Sequence, residues 1–321
     1  MYLCGVTFDK KIDKIASVTY TVNSEKCVGS SGGPAEGRRG KMAAGVIFDL
    51  KQLAVFDGPG IRQTVFLKGC PLRCRWCHNP EGLSPHPQLM IGASCTHCGR
   101  CRAVCRHENC VACGKCVPVC PLRLRHIAGE TVTAEELAER LRRDSAYYAA
   151  CGGGVTFSGG EPLMQGEFLL EVLEQIPEMH TCIETSGYAQ KDLFDRVTER
   201  LDYIIMDLKL MDSEAHRAYT GVDNGPILEN ARRLCRGNTP FTIRVPLIPG
   251  VNDTEQNLRQ TARWIAGAKK LEKVELLPYH KTAGAKYAML GREYRPGFDV
   301  ERPVHAAAEI FMEYGIRSKV L

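Results

Sequence analysis

The sequence predicts an α/β fold: an open, partial barrel of six strand–helix units, interrupted by a small cysteine-rich insert. Three observations carry this reading. From residue 64 onward, short apolar runs alternate with longer amphipathic ones, the pattern of a parallel sheet joined by right-handed crossover helices. Polar motifs recur just past the ends of the apolar runs. Cysteines in tight C-x2-C units fill residues 84–129 and break the rhythm there.

The elements follow in order. Residues 1–41 show no sustained 3.6 or 2.0 period apart from a short alternation around Val18–Val22, and they end in the loop-like run Ser30–Lys41. They are expected to be a disordered extension, or translated upstream sequence before a natural start at Met42. Arg38-Arg39, if encoded AGG-AGG, would be a ribosome-binding sequence two codons ahead of that methionine, and Cys4 and Cys27 would then be incidental. The barrel is assigned to 42–83 and 130–321 and the insert to 84–129. Gly45–Phe48 opens the ordered chain, and Thr64–Leu67 is a strand. Thr133–Ala150 reads as one helix, capped by Thr133 with Glu136 three residues on and ended by Gly152-Gly153-Gly154. Strands are then expected at Val155–Phe157, Thr181–Glu184, Tyr203–Leu208, Phe241–Val245 and Lys273–Leu277. Helices are expected at Glu167–Ile176, Lys191–Thr198, a segment ending near Cys235, Thr254–Ala266 and Pro303–Tyr314.

Composition narrows the function classes. The chain has 321 residues, 44% hydrophobic and 25% charged, which suits one soluble domain with or without an insertion. Of 16 cysteines, eleven fall between Cys70 and Cys120. Disulfides in a secreted protein would be one use. With no apolar secretory region and no run long enough to span a bilayer, metal ligation in a reducing cytoplasm fits better, and no membrane partner is expected. Net charge is a modest +5, with cations crowded around the cysteines, where they would stabilise anionic thiolate-ligated clusters. No basic stripe interleaved with aromatics appears, so no nucleic-acid partner is expected.

The cysteines form three motifs. Cys70-x3-Cys74-x2-Cys77 supplies three thiolates within eight residues and no nearby fourth. A four-iron cubane held by three cysteines keeps one iron open to bind a small molecule and do chemistry on it. A zinc site, the alternative, is usually closed by a fourth Cys or His. Inside the insert, Cys95-x2-Cys98-x2-Cys101-x3-Cys105 is followed by Cys110-x2-Cys113-x2-Cys116-x3-Cys120-Pro121. Both match the two-cluster bacterial ferredoxin run, in which the fourth cysteine of each run ligates the other cluster. Cys95, Cys98, Cys101 and Cys120 should hold one [4Fe–4S] cluster, and Cys110, Cys113, Cys116 and Cys105 the second. The insert is then an electron relay or, alternatively, a structural staple.

The strand-end motifs point to one site. Ser158-Gly-Gly-Glu-Pro162 follows a strand; its glycines let backbone approach a ligand closely, and Glu161 offers a carboxylate to an ammonium group. Glu184-Thr-Ser-Gly187, Asp207-Leu-Lys209, Arg244–Asp253 and Pro278-Tyr-His280 lie at successive strand ends. Barrel-like α/β folds place active sites at the C-terminal ends of their strands.

Together these residues resemble the glycyl-radical-enzyme activating enzymes, a branch of the radical S-adenosylmethionine (SAM) family. The resemblance covers essentially all of 43–321 and rests on the triad with Trp76 just before its last cysteine, Asp57-Gly-Pro-Gly-Ile-Arg62, Trp76-Cys-His-Asn-Pro-Glu81, Val155–Pro162, Asp207-Leu-Lys209, His216-x3-Thr220-Gly221, Pro246–Asp253 and Leu277–His280. The pyruvate formate-lyase activating prototype lacks the ferredoxin insert, so this chain is similar to the longer members. The resemblance implies a partial (β/α)6 TIM-like barrel of the radical SAM type with an inserted two-cluster ferredoxin-like domain. It implies three [4Fe–4S] clusters, SAM, a glycyl radical enzyme as client protein, and flavodoxin or ferredoxin as electron donor. The Cys70/Cys74/Cys77 cluster would reduce SAM to methionine and a 5′-deoxyadenosyl radical, which takes a hydrogen atom from a glycine of the client. Gly159, Gly160 and Glu161 would hold the methionine moiety. Asp207 and Lys209 would contact the ribose and carboxylate region, and Trp76, His78 and His280 the adenine or ribose, with Cys77, Leu208 and Arg244 completing the cofactor-binding set. Glu184, Thr185 and Asp207 match a monovalent-cation site, with Glu at 184 where the prototype has Asp. The alternatives are a radical SAM enzyme acting on a peptide or small molecule, and a non-catalytic iron–sulfur electron carrier.

Overall fold

The central strands are buried on both faces. β2 (Arg62–Leu67) is buried at all six positions, and β6 (Gly154–Gly159), β7 (Thr181–Thr185), β8 (Tyr203–Asp207) and β9 (Phe241–Leu247) nearly so. That pattern belongs to a parallel sheet covered on both sides. The computed structural model describes residues 43–321; the expected extension over 1–41 lies outside the described residues.

With β1 (Ala44–Ala54), β5 (Glu130–Thr133), β10 (Leu271–Pro278) and β11 (Ser318–Val320), the nine-stranded sheet has the order β11-β10-β9-β8-β7-β6-β2-β1-β5. β2, β6, β7, β8, β9 and β10 are mutually parallel, as the six expected units require, and β11 adds a parallel edge. β1 and β5 extend the other edge antiparallel. The order does not return on itself, so the sheet is open. α4 (Gly166–Gln175), α5 (Lys191–Thr198), α7 (Gly225–Arg236) and α8 (Glu255–Ile265) form the crossovers and pack on a core that includes Phe157, Leu169, Phe194, Ile204, Ile243, Leu258 and Phe311. The insert leaves through β3 (Gln88–Ile91), contains the one-turn α1 (Arg100–Val104), and returns through β4 (Arg125–Ala128), which pairs antiparallel with β3.

Three helices differ from expectation. The single helix over 133–150 is two, α2 (Ala134–Arg142) and α3 (Ser145–Ala150). The capping box is present: Thr133 Oγ1 accepts from Glu136 N at 3.1 Å, and the Glu136 carboxylate accepts from Thr133 N at 2.8 Å. The helix stops because Gln63 Nε2 donates to the Leu141 carbonyl at 2.9 Å and Ser145 Oγ to that of Arg142 at 2.9 Å, replacing the next intrahelical donors. The segment ending near Cys235 is also two helices, α6 (Ser213–Thr220) and α7, separated by Gly221 at φ +82° and restarted by Pro226. The last helix shrinks to a single turn, Glu309–Met312. His305 N donates to Asp253 at 3.0 Å and Ser318 Oγ to the Ala308 carbonyl at 2.7 Å, so the backbone polar groups ahead of it find partners outside a helix.

Candidate active site

The triad loop follows β2 and is held by backbone bonds from two sides. Gly69 N donates to Gly82 O at 2.8 Å and Cys70 N to Leu83 O at 3.3 Å. Arg73 N donates to Thr220 O at 2.6 Å and Arg75 N to Tyr219 O at 3.0 Å, so the C-terminal turn of α6 braces the far end. Leu72 is buried beneath the loop, and Trp76 packs on Leu210 and Ile248. Lys68, wholly buried, donates its ammonium to the Glu81 carbonyl. Burial drives the Lys68 pKa down to about 8.

The strand ends converge as expected. One cavity of about 360 Å³, within the range of small-molecule sites, is lined by Cys70, Cys74 and Cys77 from the loop after β2. Ser158, Gly159 and Gly160 reach it from β6, Glu184, Thr185 and Ser186 from β7, Asp207 and Lys209 from β8, and Arg244 from β9. Tyr279 and His280 close the β10 side beside Trp76 and His78. The His78 and His280 rings stand 6.5 Å apart, with His280 exposed at the mouth.

The donor set fits an iron–sulfur cluster. Burial pushes the thiols of Cys70, Cys74 and Cys77 up to about 12, so without a metal they are neutral, and a metal's charge is what would hold them as thiolates. Among the described residues no three Cys, His, Asp or Glu side chains converge on a single ion position. Thiolates on separate irons of a cubane need no such convergence. Burial opposes the charge on Lys209, but Asp207 at 2.6 Å holds its pKa above the usual lysine range.

Glu161 and Leu208 do not line the cavity, whereas Gly159 and Gly160 do. Glu161 is wholly buried, and its carboxylate is consumed within the protein. It accepts from Thr185 Oγ1 at 2.6 Å, Ser186 N at 2.8 Å, Ser186 Oγ at 2.5 Å and Leu163 N at 3.1 Å, so it ties the β6 and β7 ends together rather than facing an ammonium group. Leu208 points into the core, 2% exposed, and contributes backbone only: its N–H donates to Arg244 O at 2.9 Å. The glycines serve packing as well as approach. A Cβ on Gly160 would stand 2.3 Å from the Gly69 carbonyl oxygen and 2.6 Å from that of Gly82, and one on Gly159 would stand 2.5 Å from that of Leu67. The two loops touch through backbone.

Sequence reasoning placed Ser158 and Ser186 in site motifs without a role of their own, and it missed Glu275. Ser158 Oγ donates to Glu184 at 2.6 Å. Glu275, 4% exposed in β10, accepts from Arg244 Nε at 2.9 Å. A carboxylate inside the apolar run of a central strand was the available signal for it.

In the insert, a cavity of about 180 Å³ is lined by Cys95, Cys98, Cys101 and Cys120, the crossed set expected for one cluster, with Arg100, Arg102 and Arg125 around it. The two runs share backbone geometry at an offset of fifteen residues: His97 and Ala112 both have φ +54°, and Gly99 and Gly114 have φ +78° and +75°. Left-handed backbone at a non-glycine residue is strained, and here it recurs at the same point of both runs, just before the second cysteine. Leu124 N donates to Cys120 Sγ at 3.4 Å and leads the backbone amides that lower that thiol's pKa. Of the second expected set, Cys116 is buried, Cys105 half-buried, and Cys110 and Cys113 exposed.

Comparison with known proteins agrees with this geometry. The family model described as the Radical SAM superfamily matches residues 64–265. The chain is 36% identical over 307 residues to the 4-hydroxyphenylacetate decarboxylase activating enzyme of Clostridioides difficile (strain 630), covering 86% of this chain and 96% of the relative. It is 40% identical over 272 residues to the choline trimethylamine-lyase activating enzyme of Oleidesulfovibrio alaskensis, covering 78% and 88%. It is 35% identical over 308 residues to the (2S)-3-sulfopropanediol dehydratase activating enzyme of Klebsiella oxytoca, covering 86% and 96%. No helix among the described residues is long and apolar enough to cross a membrane. The converging strand ends, the three-cysteine loop and these relatives agree: the chain belongs to the radical SAM superfamily and, within it, to the glycyl-radical-enzyme activating enzymes.

Proposed function

We propose that this chain uses Cys70, Cys74 and Cys77 to hold a [4Fe–4S] cluster with one iron open toward the 360 Å³ cavity, where SAM binds. The single observation that carries this is three half-buried cysteines sharing a strand-end cavity with cations and carboxylates suited to an amino-acid moiety. When bound, the cluster and SAM supply one-electron cleavage to methionine and a 5′-deoxyadenosyl radical, which takes a hydrogen atom from the client's glycine and leaves a glycyl radical. Arg244 and Lys209 offer cations to the SAM carboxylate. Ser158, Gly159 and Gly160 line the methionine side, and Trp76 and His78, with His280 at the mouth, bound the nucleoside side. Glu161 acts through Thr185 and Ser186 as a positioning residue.

The insert holds two further [4Fe–4S] clusters, one on Cys95, Cys98, Cys101 and Cys120 and one on Cys105, Cys110, Cys113 and Cys116, and relays electrons from a flavodoxin or ferredoxin in the cytoplasm. The shared left-handed turns and the four-cysteine cavity support this. Relatives at 35–40% identity are named for activating a decarboxylase, a lyase and a dehydratase, so the client of this chain is a glycyl radical enzyme of that range. The test is Cys74→Ala. Release of 5′-deoxyadenosine with a strong small reductant should be abolished, while the insert clusters, which share no ligand with the triad, still assemble. Wild-type release from the variant overturns the assignment.

A further inference from the structure

A monovalent cation at Glu184, Thr185 and Asp207, which the family resemblance implies, does not fit the side chains found here. Glu184 accepts from Arg244 on one oxygen and from Ser158 Oγ at 2.6 Å on the other. Thr185 spends its hydroxyl proton on Glu161 at 2.6 Å and accepts from Gly187 N at 2.8 Å. Asp207 is paired with Lys209 at 2.6 Å. Each expected ligand already has its partner, and each carboxylate already has a positive charge beside it. Glu184 faces a guanidinium and Asp207 an ammonium, so neither carboxylate lacks a positive partner.

Arg244 is held in place from behind. Arg244, 8% exposed, is anchored through Nε to Glu275 at 2.9 Å and through its other terminal nitrogen to the Phe56 carbonyl. Glu275 is itself paired with Lys273 at 2.9 Å and Lys319 at 3.2 Å. Burial disfavours charge on Arg244, yet Glu184 and then Glu275 more than offset it. Glu184 stands where the resemblance implies an aspartate in the family prototype, and its carboxylate is paired with Arg244.

We propose that Arg244, seated on Glu184 by the Glu275 anchor, stands in for the alkali cation, so that this enzyme binds SAM without one. The proposal rests on the SAM reading of the cavity, and its test separates the two. Binding of SAM to the cluster-loaded enzyme is measured by anaerobic equilibrium dialysis, with all sodium and potassium replaced by tetramethylammonium at matched ionic strength. The dissociation constant should agree with that in potassium to within about twofold. A loss of about tenfold or more without alkali cation, roughly 1.4 kcal/mol, overturns the proposal. Absence of binding in every buffer overturns the SAM reading itself. Arg244→Gln uncovers Glu184, and potassium should then tighten SAM binding about tenfold, a response a merely structural arginine would not produce. A folded variant with no potassium response refutes the role given to Arg244, and if the variant fails to fold, the wild-type comparison still decides.

Discussion

Replacing Gly160 by alanine perturbs the seam between the triad loop and the loop after β6. Gly160 does not need a left-handed backbone, so the effect is steric. The added methyl would lie 2.3 Å from the Gly69 oxygen and 2.6 Å from the Gly82 oxygen, both backbone atoms, where ordinary contact begins at 3.4 Å. Restoring contact moves backbone by about 1 Å, the scale at which misplaced reacting groups lose about 10²-fold in rate. The loops cannot part freely, because Glu161 N donates to Gly69 O and Gly160 N to Leu67 O, at 2.8 and 2.9 Å. Overpacking of this kind costs about 1–3 kcal/mol of stability. Gly152→Ala is the control. Its Cβ would meet nothing within 4 Å, but φ is +64°, so it carries a left-handed penalty of about 1–2 kcal/mol away from the site. Denaturant midpoints, triad-cluster absorbance and 5′-deoxyadenosine release should show comparable destabilisation in the two variants. Cleavage should fall about 10²-fold only in Gly160→Ala. Equal cleavage by both variants would refute the backbone seam as the element that positions the triad.

Two further outcomes follow from the cysteine sites. Assembly of the triad cluster should release about three protons in weakly buffered solution below pH 9, because burial holds Cys70, Cys74 and Cys77 as thiols up to about 12. Lower pH therefore weakens cluster binding, and a pH-independent assembly would contradict the assigned ligands. Cys113→Ala should slow turnover driven by flavodoxin and leave turnover driven by a small strong reductant less affected; equal loss with both, in a variant that keeps its triad cluster, would make the insert a staple rather than a relay.

The fold was legible where hydrophobic period and strand-end polarity agree. Val155–Phe157, Thr181–Glu184 and Lys191–Thr198 read directly, because buried parallel strands and amphipathic crossovers leave different periods in a sequence. Helix ends were less legible, since what stops α2 is the Gln63 side chain, 78 residues from Leu141 in the chain. Three-residue β11 carries too little pattern to read alone and exists by pairing beside β10. The cavity lining followed from motif position at nearly every residue. Glu161 and Glu184 show the limit: a carboxylate's place in a motif tells that it matters, but only the three-dimensional neighbours, Thr185 and Ser186 for one and Arg244 for the other, tell what it bonds.

The central claim is tested most directly by electron paramagnetic resonance on a glycyl radical enzyme incubated anaerobically with the reduced, cluster-loaded chain and SAM. Representatives of the decarboxylase, lyase and dehydratase classes named for its relatives serve as clients. The account predicts a glycyl radical signal in at least one client, with one 5′-deoxyadenosine formed per radical. That signal should be lost with Cys74→Ala. Stoichiometric SAM cleavage with no radical in any client, or a radical formed without the triad, would contradict it.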